Sequence, residues 1–239
     1  MGYDDRTIKH KSFFVRWVHR KRYQGIINLL EKIKPHSVLD YGAGTGSFAV
    51  QLLDFKWTPE IIAAFEPRET SFQEINDKLR ELNLLDRVHL YNNLSEIKPG
   101  FDVIACMGVL EHLTFKQRQE LYDNVRRLLN PGGYFIMQVP IMIGFSMIFR
   151  MLVKILVKKE DLRLSPKEVI LAGLLFKVIN DNGRSDENNV NTFINTHMGF
   201  DHRRLVTELK EHFQMTNSFC GPFYLPYYLA HSFYAVFKV

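Results

Sequence analysis

Three glycines at alternate positions mark the clearest candidate binding site in the sequence. Gly42, Gly44 and Gly46 follow a short apolar run that ends in Asp40, and a helical pattern begins directly after them. Glycine lets a backbone approach a ligand closely, and the first turn of a helix offers backbone N–H groups that have no partner within the helix. The segment therefore predicts a strand, a turn and a helix start that could hold a nucleoside-like ligand.

A second carboxylate favours a ligand that contains ribose. Glu66 ends the next predicted strand, 20 residues after Gly46, and in such folds an acid at this place accepts hydrogen bonds from ribose hydroxyls. The glycine spacing is G-x-G-x-G, whereas dinucleotide sites have G-x-G-x-x-G. This difference argues against a nicotinamide dehydrogenase, which stays open as one alternative.

Alternating strands and helices are needed to bring these residues to one edge of a sheet. Short apolar runs do alternate with helical patterns along the chain, which predicts a mostly parallel sheet that is buried on both faces. The predicted strands are 36–40, 61–65, 88–91, 101–106 and 134–139. The predicted helices are 12–33, 47–55, 70–84 and 115–129.

The pattern is less regular after Pro140. Residues 141–195 carry helical patterns at 143–158 and 166–179 and a polar segment at 181–189, which together predict a helical insertion. Asp201 is a candidate N-cap for a helix that continues to about His212, and late strands are predicted at 214–219 and 231–237. The predicted organisation is a basic N-terminal arm and helix at 1–34, a cofactor-binding core at 35–140, an insertion or substrate lid at 141–195, and a C-terminal completion of the sheet at 196–239.

The composition is that of a globular protein whose positive charge is concentrated near the N-terminus. Of 239 residues, 46% are hydrophobic and 24% are charged, so disorder is disfavoured. Nine basic residues lie between Arg6 and Lys34 against one acid, although the net charge of the whole chain is only +5. Such a segment could face phosphate, an anionic membrane or nucleic acid, or could be a solvated helix face. Two cysteines and a polar start without a secretory signal predict a reducing, cytoplasmic location.

Four motifs cover the predicted core. They are V-L-D-Y-G-A-G-T-G-S at 38–47, A-F-E-P at 64–67, F-D-V-I-A-C-M-G-V-L-E-H-L at 101–113 and L-N-P-G-G-Y at 129–134. In combination they resemble the class I S-adenosylmethionine-dependent methyltransferases. The resemblance implies an α/β, Rossmann-like fold with a mostly parallel seven-stranded sheet, helices on both faces and, in this chain, a helical insertion after strand 5. It also implies S-adenosyl-L-methionine as the cofactor.

The resemblance assigns residues to the methionine end of the cofactor. Asp40, Gly42 and Gly44 would line this end, and Gly46 would complete the cofactor-binding turn. Cys106 and Met107 would lie at the end of the fourth strand, near the sulfonium. For Cys106, a small buried thiol beside the cofactor is the simpler interpretation than a reactive one.

The resemblance also assigns residues to the nucleoside end. Glu66 would hold the ribose and Pro67 would lie beside the adenine. Asn93 would face the adenine amino group, and Leu94 would offer its backbone N–H to the ring. The family often has Asp at the position of Asn93, and Asn92 could equally be the residue in register.

Methyl transfer to a hydroxyl benefits from a group that takes the proton, and histidine suits this role at neutral pH. His112 is one candidate base, although a histidine that packs and orients a loop is the simpler interpretation. His197 is the second, because the run 196–204 resembles a segment that often closes over the substrate in small-molecule and glycan methyltransferases. In the same run, His202 could equally be solvated, and Asp201 is better suited to a helix cap than to a base. Glu111 could hold a metal, but no partner ligand is evident in the sequence, so no metal is predicted.

These observations predict an S-adenosylmethionine-dependent O-methyltransferase that acts by in-line transfer on a small-molecule, glycan or lipid-like acceptor. Residues 141–159 combine apolar bulk with only basic charges, which suits either a lid helix or an interfacial helix. With the basic N-terminus, this makes a lipid-linked acceptor and peripheral contact with an anionic membrane reasonable. Nucleic acid is disfavoured as a partner, because the family's amino-methylating motif, Asn or Asp followed by Pro-Pro-Tyr, is absent after the fourth strand. The alternative from another class is a non-catalytic cofactor-binding or interaction protein on the same fold.

Overall fold

The structure is a computed structural model that describes residues 13–54, 57–145, 148, 166–175, 177–178, 194, 196–197, 199–221 and 230–239. Its helices are α1 (Phe13–Ile33), α2 (Ser47–Leu52), α3 (Glu69–Glu81), α4 (Phe115–Leu128), α5 (Pro166–Gly173) and α6 (His202–His212). Its strands are β1 (Ser37–Tyr41), β2 (Ile61–Phe65), β3 (His89–Tyr91), β4 (Phe101–Met107), β5 (Leu129–Pro140), β6 (Gln214–Gly221) and β7 (Ser232–Lys238). Single 3₁₀ turns at Leu94–Glu96 and Leu110–His112 follow β3 and β4.

The described strands form one seven-stranded sheet in the order β3-β2-β1-β4-β5-β7-β6. β1 pairs in parallel with both β2 and β4, and β2 pairs in parallel with β3. β7 runs antiparallel to β5. This direction is shown by two hydrogen bonds at opposite ends of the pair, from Gly132 N–H to the carbonyl of Val239 and from Ile141 N–H to the carbonyl of His231. The predicted α/β, Rossmann-like fold with a mostly parallel sheet is confirmed.

The first of two compact units comprises residues 1–107, 124–137 and 236–239. All five residues of β1 are buried, as expected for a strand inside a parallel sheet that is covered on both faces. The amino end of β1 is fastened by the Asp102 carboxylate, which accepts hydrogen bonds from the backbone N–H groups of His36 (2.8 Å) and Ser37 (3.3 Å). The carboxyl end of β1 leads into the glycine turn.

The second unit comprises residues 108–123 and 138–235. A buried ion pair within it joins α4 to α6: the Arg118 guanidinium donates to both carboxylate oxygens of Glu208, through Nε at 2.9 Å to Oε1 and Nη2 at 2.8 Å to Oε2. The Tyr122 hydroxyl donates to the same carboxylate at 3.0 Å, and Arg118 Nη1 donates to the carbonyl of Leu113 at 2.9 Å. Because both charges have these partners, the pair is held in one fixed geometry.

Several element bounds differ from the prediction, and α3, for example, ends at Glu81 rather than 84. α2 ends at Leu52 rather than 55, and β5 begins at Leu129 rather than 134. Residues 131–133, which precede the predicted strand 134–139, belong to β5: Gly132 N–H donates to Val239 O and Val239 N–H donates to Gly133 O, both at 3.3 Å.

The predicted insertion is described only in part. α5 begins where the second helical pattern was predicted, at Pro166, and ends at Gly173 rather than 179. Most of the predicted helix 143–158 and the whole polar segment 181–189 lie outside the described residues. Among the helices that the structure describes, none is long and apolar enough to cross a membrane.

Candidate functional site

The glycine turn is held by backbone hydrogen bonds to the end of β2. The N–H groups of Gly42 and Ala43 both donate to the carbonyl of Phe65, at 2.8 and 2.9 Å. The φ values of Gly42, Gly44 and Gly46 are positive, at 79°, 60° and 67°. Residues other than glycine rarely adopt this backbone conformation. The turn therefore requires its glycines for backbone conformation, as the sequence predicts.

Two of these glycines face different surroundings. A Cβ at Gly46 would lie 2.9 Å from the Ile75 side chain of α3, so this glycine lets α2 and α3 pack closely. A Cβ at Gly44 would meet no atom within 4 Å. The open face of the turn, where a ligand can approach the backbone, is therefore at Gly44.

The Glu66 carboxylate is joined to this turn. Glu66 is only 3% exposed, and its Oε2 accepts a hydrogen bond from Gly44 N–H at 2.8 Å. Its Oε1 accepts from the backbone N–H and from Nε of Arg68, both at 3.1 Å. Each carboxylate oxygen has two lone pairs, so Arg68 uses both acceptor positions of Oε1, and Oε2 keeps one position for a ribose hydroxyl.

Lys78 is a residue at the glycine turn that sequence reasoning missed. From α3, its Nζ donates to the carbonyl of Thr45 at 3.1 Å and contacts Oγ of Ser47 at 3.2 Å. The hydroxyls of Thr45 and Ser47 lie 2.9 Å apart and share a hydrogen bond. No local pattern marks a lysine 33 residues away as a partner of the turn, because the contact depends on how α3 packs.

The strand ends that were assigned to the methionine end of the cofactor come together in the sheet. Asp40, 2% exposed, stands beside Ala105 in the register of β1 and β4. Cys106 and Met107, the next two residues of β4, are buried. The carboxyl ends of β1 and β4 thus bring three of the predicted residues to one edge of the first unit.

The nucleoside-end residues follow β2 and β3. Glu66 N–H donates to the carbonyl of Tyr91 at 3.0 Å, so the segment after β3 starts beside Glu66. Asn93 caps the following 3₁₀ turn, because its Oδ1 accepts from the N–H and the hydroxyl of Ser95 at 3.0 and 2.9 Å. Pro67 and Asn93 are exposed and Leu94 is half-buried, which leaves their proposed contacts with adenine as predictions.

The second unit brings the two candidate histidines together. His112 Nε2 lies 3.2 Å from His197 Nε2, and the two rings are 4.9 Å apart between centroids. His197 Nε2 also lies 3.8 Å from Oε1 of Glu111, whose side chain is buried. The prediction of no metal depended on Glu111 having no partner ligand, and that premise is wrong in the structure, although the prediction itself stays untested.

Asp201 and His202 take structural positions. Asp201 is the N-cap of α6, as predicted, and accepts from Arg203 N–H at 3.0 Å. Burial alone would raise the pKa of Asp201, but the hydrogen bonds and the charge of Arg203 lower it below its usual value. His202 is 1% exposed rather than solvated, and burial lowers its pKa to about 4.

Comparisons with known proteins agree with the fold. Residues 39–135 match a family described as a methyltransferase domain. The ubiquinone/menaquinone biosynthesis C-methyltransferase UbiE of Blochmanniella floridana is 29% identical over 120 residues, which are 48% of this chain and 46% of that enzyme. The chain thus spans about half the length of this curated relative.

Two solved structures have a similar fold. The methyltransferase domain of bacterial CtHen1 has a TM-score of 0.63 at 14% identity, with 93% of this chain and 100% of that chain covered. The N-methyltransferase NodS of Bradyrhizobium japonicum, in complex with S-adenosyl-L-homocysteine, has a TM-score of 0.55 at 13% identity, with 92% and 87% covered.

Proposed function

We propose that this chain, whose residues 39–135 match a methyltransferase domain, is a class I S-adenosylmethionine-dependent methyltransferase that uses S-adenosylmethionine as its cofactor and methylates an oxygen of a small-molecule, glycan or lipid-like acceptor. The cofactor supplies a methyl group on a positively charged sulfur, so the chain must bind it, align the acceptor and accept a proton. The observation that carries the proposal is the bond between the buried Glu66 carboxylate and Gly44 at the open face of the glycine turn.

The first unit has the features that the cofactor requires. The open face at Gly44 admits a ligand to the backbone, and Oε2 of Glu66 beside it retains one acceptor position for a ribose hydroxyl. Asp40 and Cys106 stand at neighbouring strand ends of the same unit. We assign the methionine end of the cofactor to these strand ends and the ribose to Glu66, with Pro67, Asn93 and Leu94 on the adenine side.

We assign the proton acceptor to the histidine pair of the second unit. The His112 Nδ1 atom lies 2.6 Å from the carbonyl of Ile194, and a carbonyl only accepts, so Nδ1 carries the proton in this contact. The neutral ring then has its lone pair at Nε2, which is the atom that faces His197. A histidine with a fixed tautomer is suited to take a hydroxyl proton at neutral pH.

Cofactor binding is the first test. Calorimetry with S-adenosylhomocysteine should show binding to the wild-type chain and to Glu60→Ala, which changes an exposed glutamate in the same unit. Glu66→Ala should weaken binding about tenfold or more, since a hydrogen bond to a charged group contributes about 1.5–3 kcal/mol. Absence of binding by the folded wild-type chain would overturn the proposal.

Acceptor chemistry is the second test. Transfer of a radiolabelled methyl group should be screened over hydroxylated lipids and glycans, and over carbon and nitrogen acceptors because the relatives include C- and N-methyltransferases by name. His112→Ala should lower transfer about 100-fold or more with cofactor binding unchanged, which is the usual contribution of a general base. Transfer to nitrogen or carbon alone would contradict the assignment to oxygen.

We further propose a cytoplasmic location with peripheral contact at an anionic membrane. The support is the cluster of basic residues between Arg6 and Lys34 in the sequence. Co-sedimentation with phosphatidylserine vesicles that falls as salt is raised, and no co-sedimentation with neutral phosphatidylcholine vesicles, is the expected result. Equal behaviour with both vesicles would refute the membrane contact.

A further inference from the structure

Three potential metal ligands from two separate stretches of the chain converge in the second unit. Glu111, His112 and His197 each offer one ligand atom, and these atoms all lie within 4.8 Å of one another. His197 comes from a position 85 residues after His112. The convergence is therefore produced by tertiary packing and not by neighbourhood in the sequence.

The His112 ring is oriented as a metal-binding imidazole usually is. Its Nδ1–H donates to the carbonyl of Ile194 at 2.6 Å, and the N–H of Ile194 donates back to the carbonyl of His112 at 3.0 Å. In metal sites the non-ligating ring nitrogen almost always donates to a carbonyl, a carboxylate or water, which fixes the tautomer and aims the other nitrogen at the ion. In His112 the nitrogen left to bind an ion is Nε2, the atom that faces His197.

The separations of the three atoms suit one small cation. Two atoms that are each about 2.05 Å from a tetrahedral zinc ion are about 3.3 Å apart. The two Nε2 atoms are separated by 3.2 Å, and His197 Nε2 and Glu111 Oε1 are separated by 3.8 Å. All three ligand atoms lie within 4.8 Å of one another, so binding of one cation would draw the Glu111 carboxylate closer to the two imidazoles.

We propose that Glu111, His112 and His197 bind one divalent transition-metal cation of the zinc class. Two imidazoles favour zinc, cobalt or nickel over magnesium or calcium, which prefer oxygen ligands. The negative charge of the buried Glu111 carboxylate offsets part of the charge of the cation. Three protein ligands leave a fourth position open, as in catalytic zinc sites, and an oxygen atom of an acceptor could occupy it.

The cation and the proton compete for the same nitrogen lone pairs. A bound cation would take over the role assigned above to the histidine pair, because it lowers the pKa of an oxygen that it binds. The binding proposal itself requires neither cofactor nor acceptor. Its success or failure is therefore separate from that of the proposed function.

The test is metal binding by the full chain after it has been freed of metal with a chelator. Zinc is titrated in competition with a chromophoric chelator, and cobalt is added separately so that its visible absorption spectrum reports the coordination geometry. The wild-type chain should bind one equivalent and give a tetrahedral cobalt spectrum. His89→Ala, which removes an exposed histidine of β3, should behave in the same way.

Loss of a ligand should weaken zinc binding at least tenfold, since even loss of an outer partner of a ligand costs about 10–100-fold. His197→Ala is the main variant, because its side chain is 42% exposed and the chain should fold without it. Glu111→Gln removes the charge of a buried group, and circular dichroism of both variants checks the fold. Equal zinc affinity and an unchanged cobalt spectrum in wild-type chain and His197→Ala would overturn the proposal, as would absence of zinc binding by the wild-type chain.

Discussion

Acid is expected to destabilise this protein in part through one buried histidine. His202 is the first residue of α6, is 1% exposed, and packs against the tilted ring of Phe233 with 5.1 Å between ring centroids. Burial lowers the pKa of His202 from 6.5 to about 4; the Asp201 carboxylate opposes the shift and the Arg203 guanidinium adds to it. The folded chain thus keeps this ring neutral at pH values at which the unfolded chain protonates it.

The sign and size of the effect follow from these two pKa values. Between pH 6.5 and pH 4 the unfolded state binds the proton and the folded state does not, so the free energy of unfolding falls as the pH is lowered. Each pKa unit corresponds to about 1.36 kcal/mol. Lowering the pH from 7 to 4.5 should therefore remove about 2.5 kcal/mol through His202 alone.

Urea denaturation of wild-type chain and His202→Gln at both pH values isolates this contribution, because the other titrating groups are common to the two proteins. The difference in their free energies of unfolding should shift by about 2.5 kcal/mol in favour of the variant at pH 4.5. A difference between wild type and His202→Gln that does not vary with pH would refute the reasoning.

Three further predictions concern stability. Gly46→Ala should destabilise the chain by about 2–3 kcal/mol, because strain at positive φ adds to overpacking against Ile75. Gly44→Ala should cost only about 1 kcal/mol of strain and should instead weaken cofactor binding. Urea denaturation and calorimetry on the two variants check this, and equal losses of stability would contradict it. Asp201→Ala should cost about 1 kcal/mol through loss of the N-cap, and an unchanged midpoint in urea would refute that. Arg118→Met should lower the free energy of unfolding by about 3 kcal/mol, because it leaves the mostly buried Glu208 carboxylate without its ion partner. In a double-mutant cycle, Arg118→Met/Glu208→Leu should recover much of that stability, and strictly additive effects of the two substitutions would count against an interaction between the two side chains.

The parts of the molecule that depend on neighbouring residues were predicted well from the sequence. The strand, glycine turn and helix around 37–52 form a local unit, in which apolar patterning and glycine conformation determine the structure. The cap at Asp201 is local in the same sense, and the structure confirms it.

Some contacts between distant segments were not predicted. Lys78 reaches the glycine turn from another helix, and His197 contacts Glu111 although it lies 86 residues later in the sequence. The sequence also allows His202 to be solvated, since the first turn of a helix is commonly exposed. Its burial is a property of how α6 packs, which no periodicity in this short segment reveals.

The hydrogen bond between Glu66 and Gly44 has a consequence for how binding affinity is distributed. The carboxylate that is proposed to hold the ribose also fixes the turn before any ligand arrives. The entropy lost in shaping the loop then belongs to the folding reaction and does not reduce the binding free energy. Without Glu66 the turn would become ordered only when the ligand binds, and this ordering would reduce the affinity. The affinity lost in Glu66→Ala is therefore an upper limit for the contribution of the ribose contact itself. An analogue that lacks one ribose hydroxyl, bound to the unchanged protein, would measure the contact separately from the ordering of the turn.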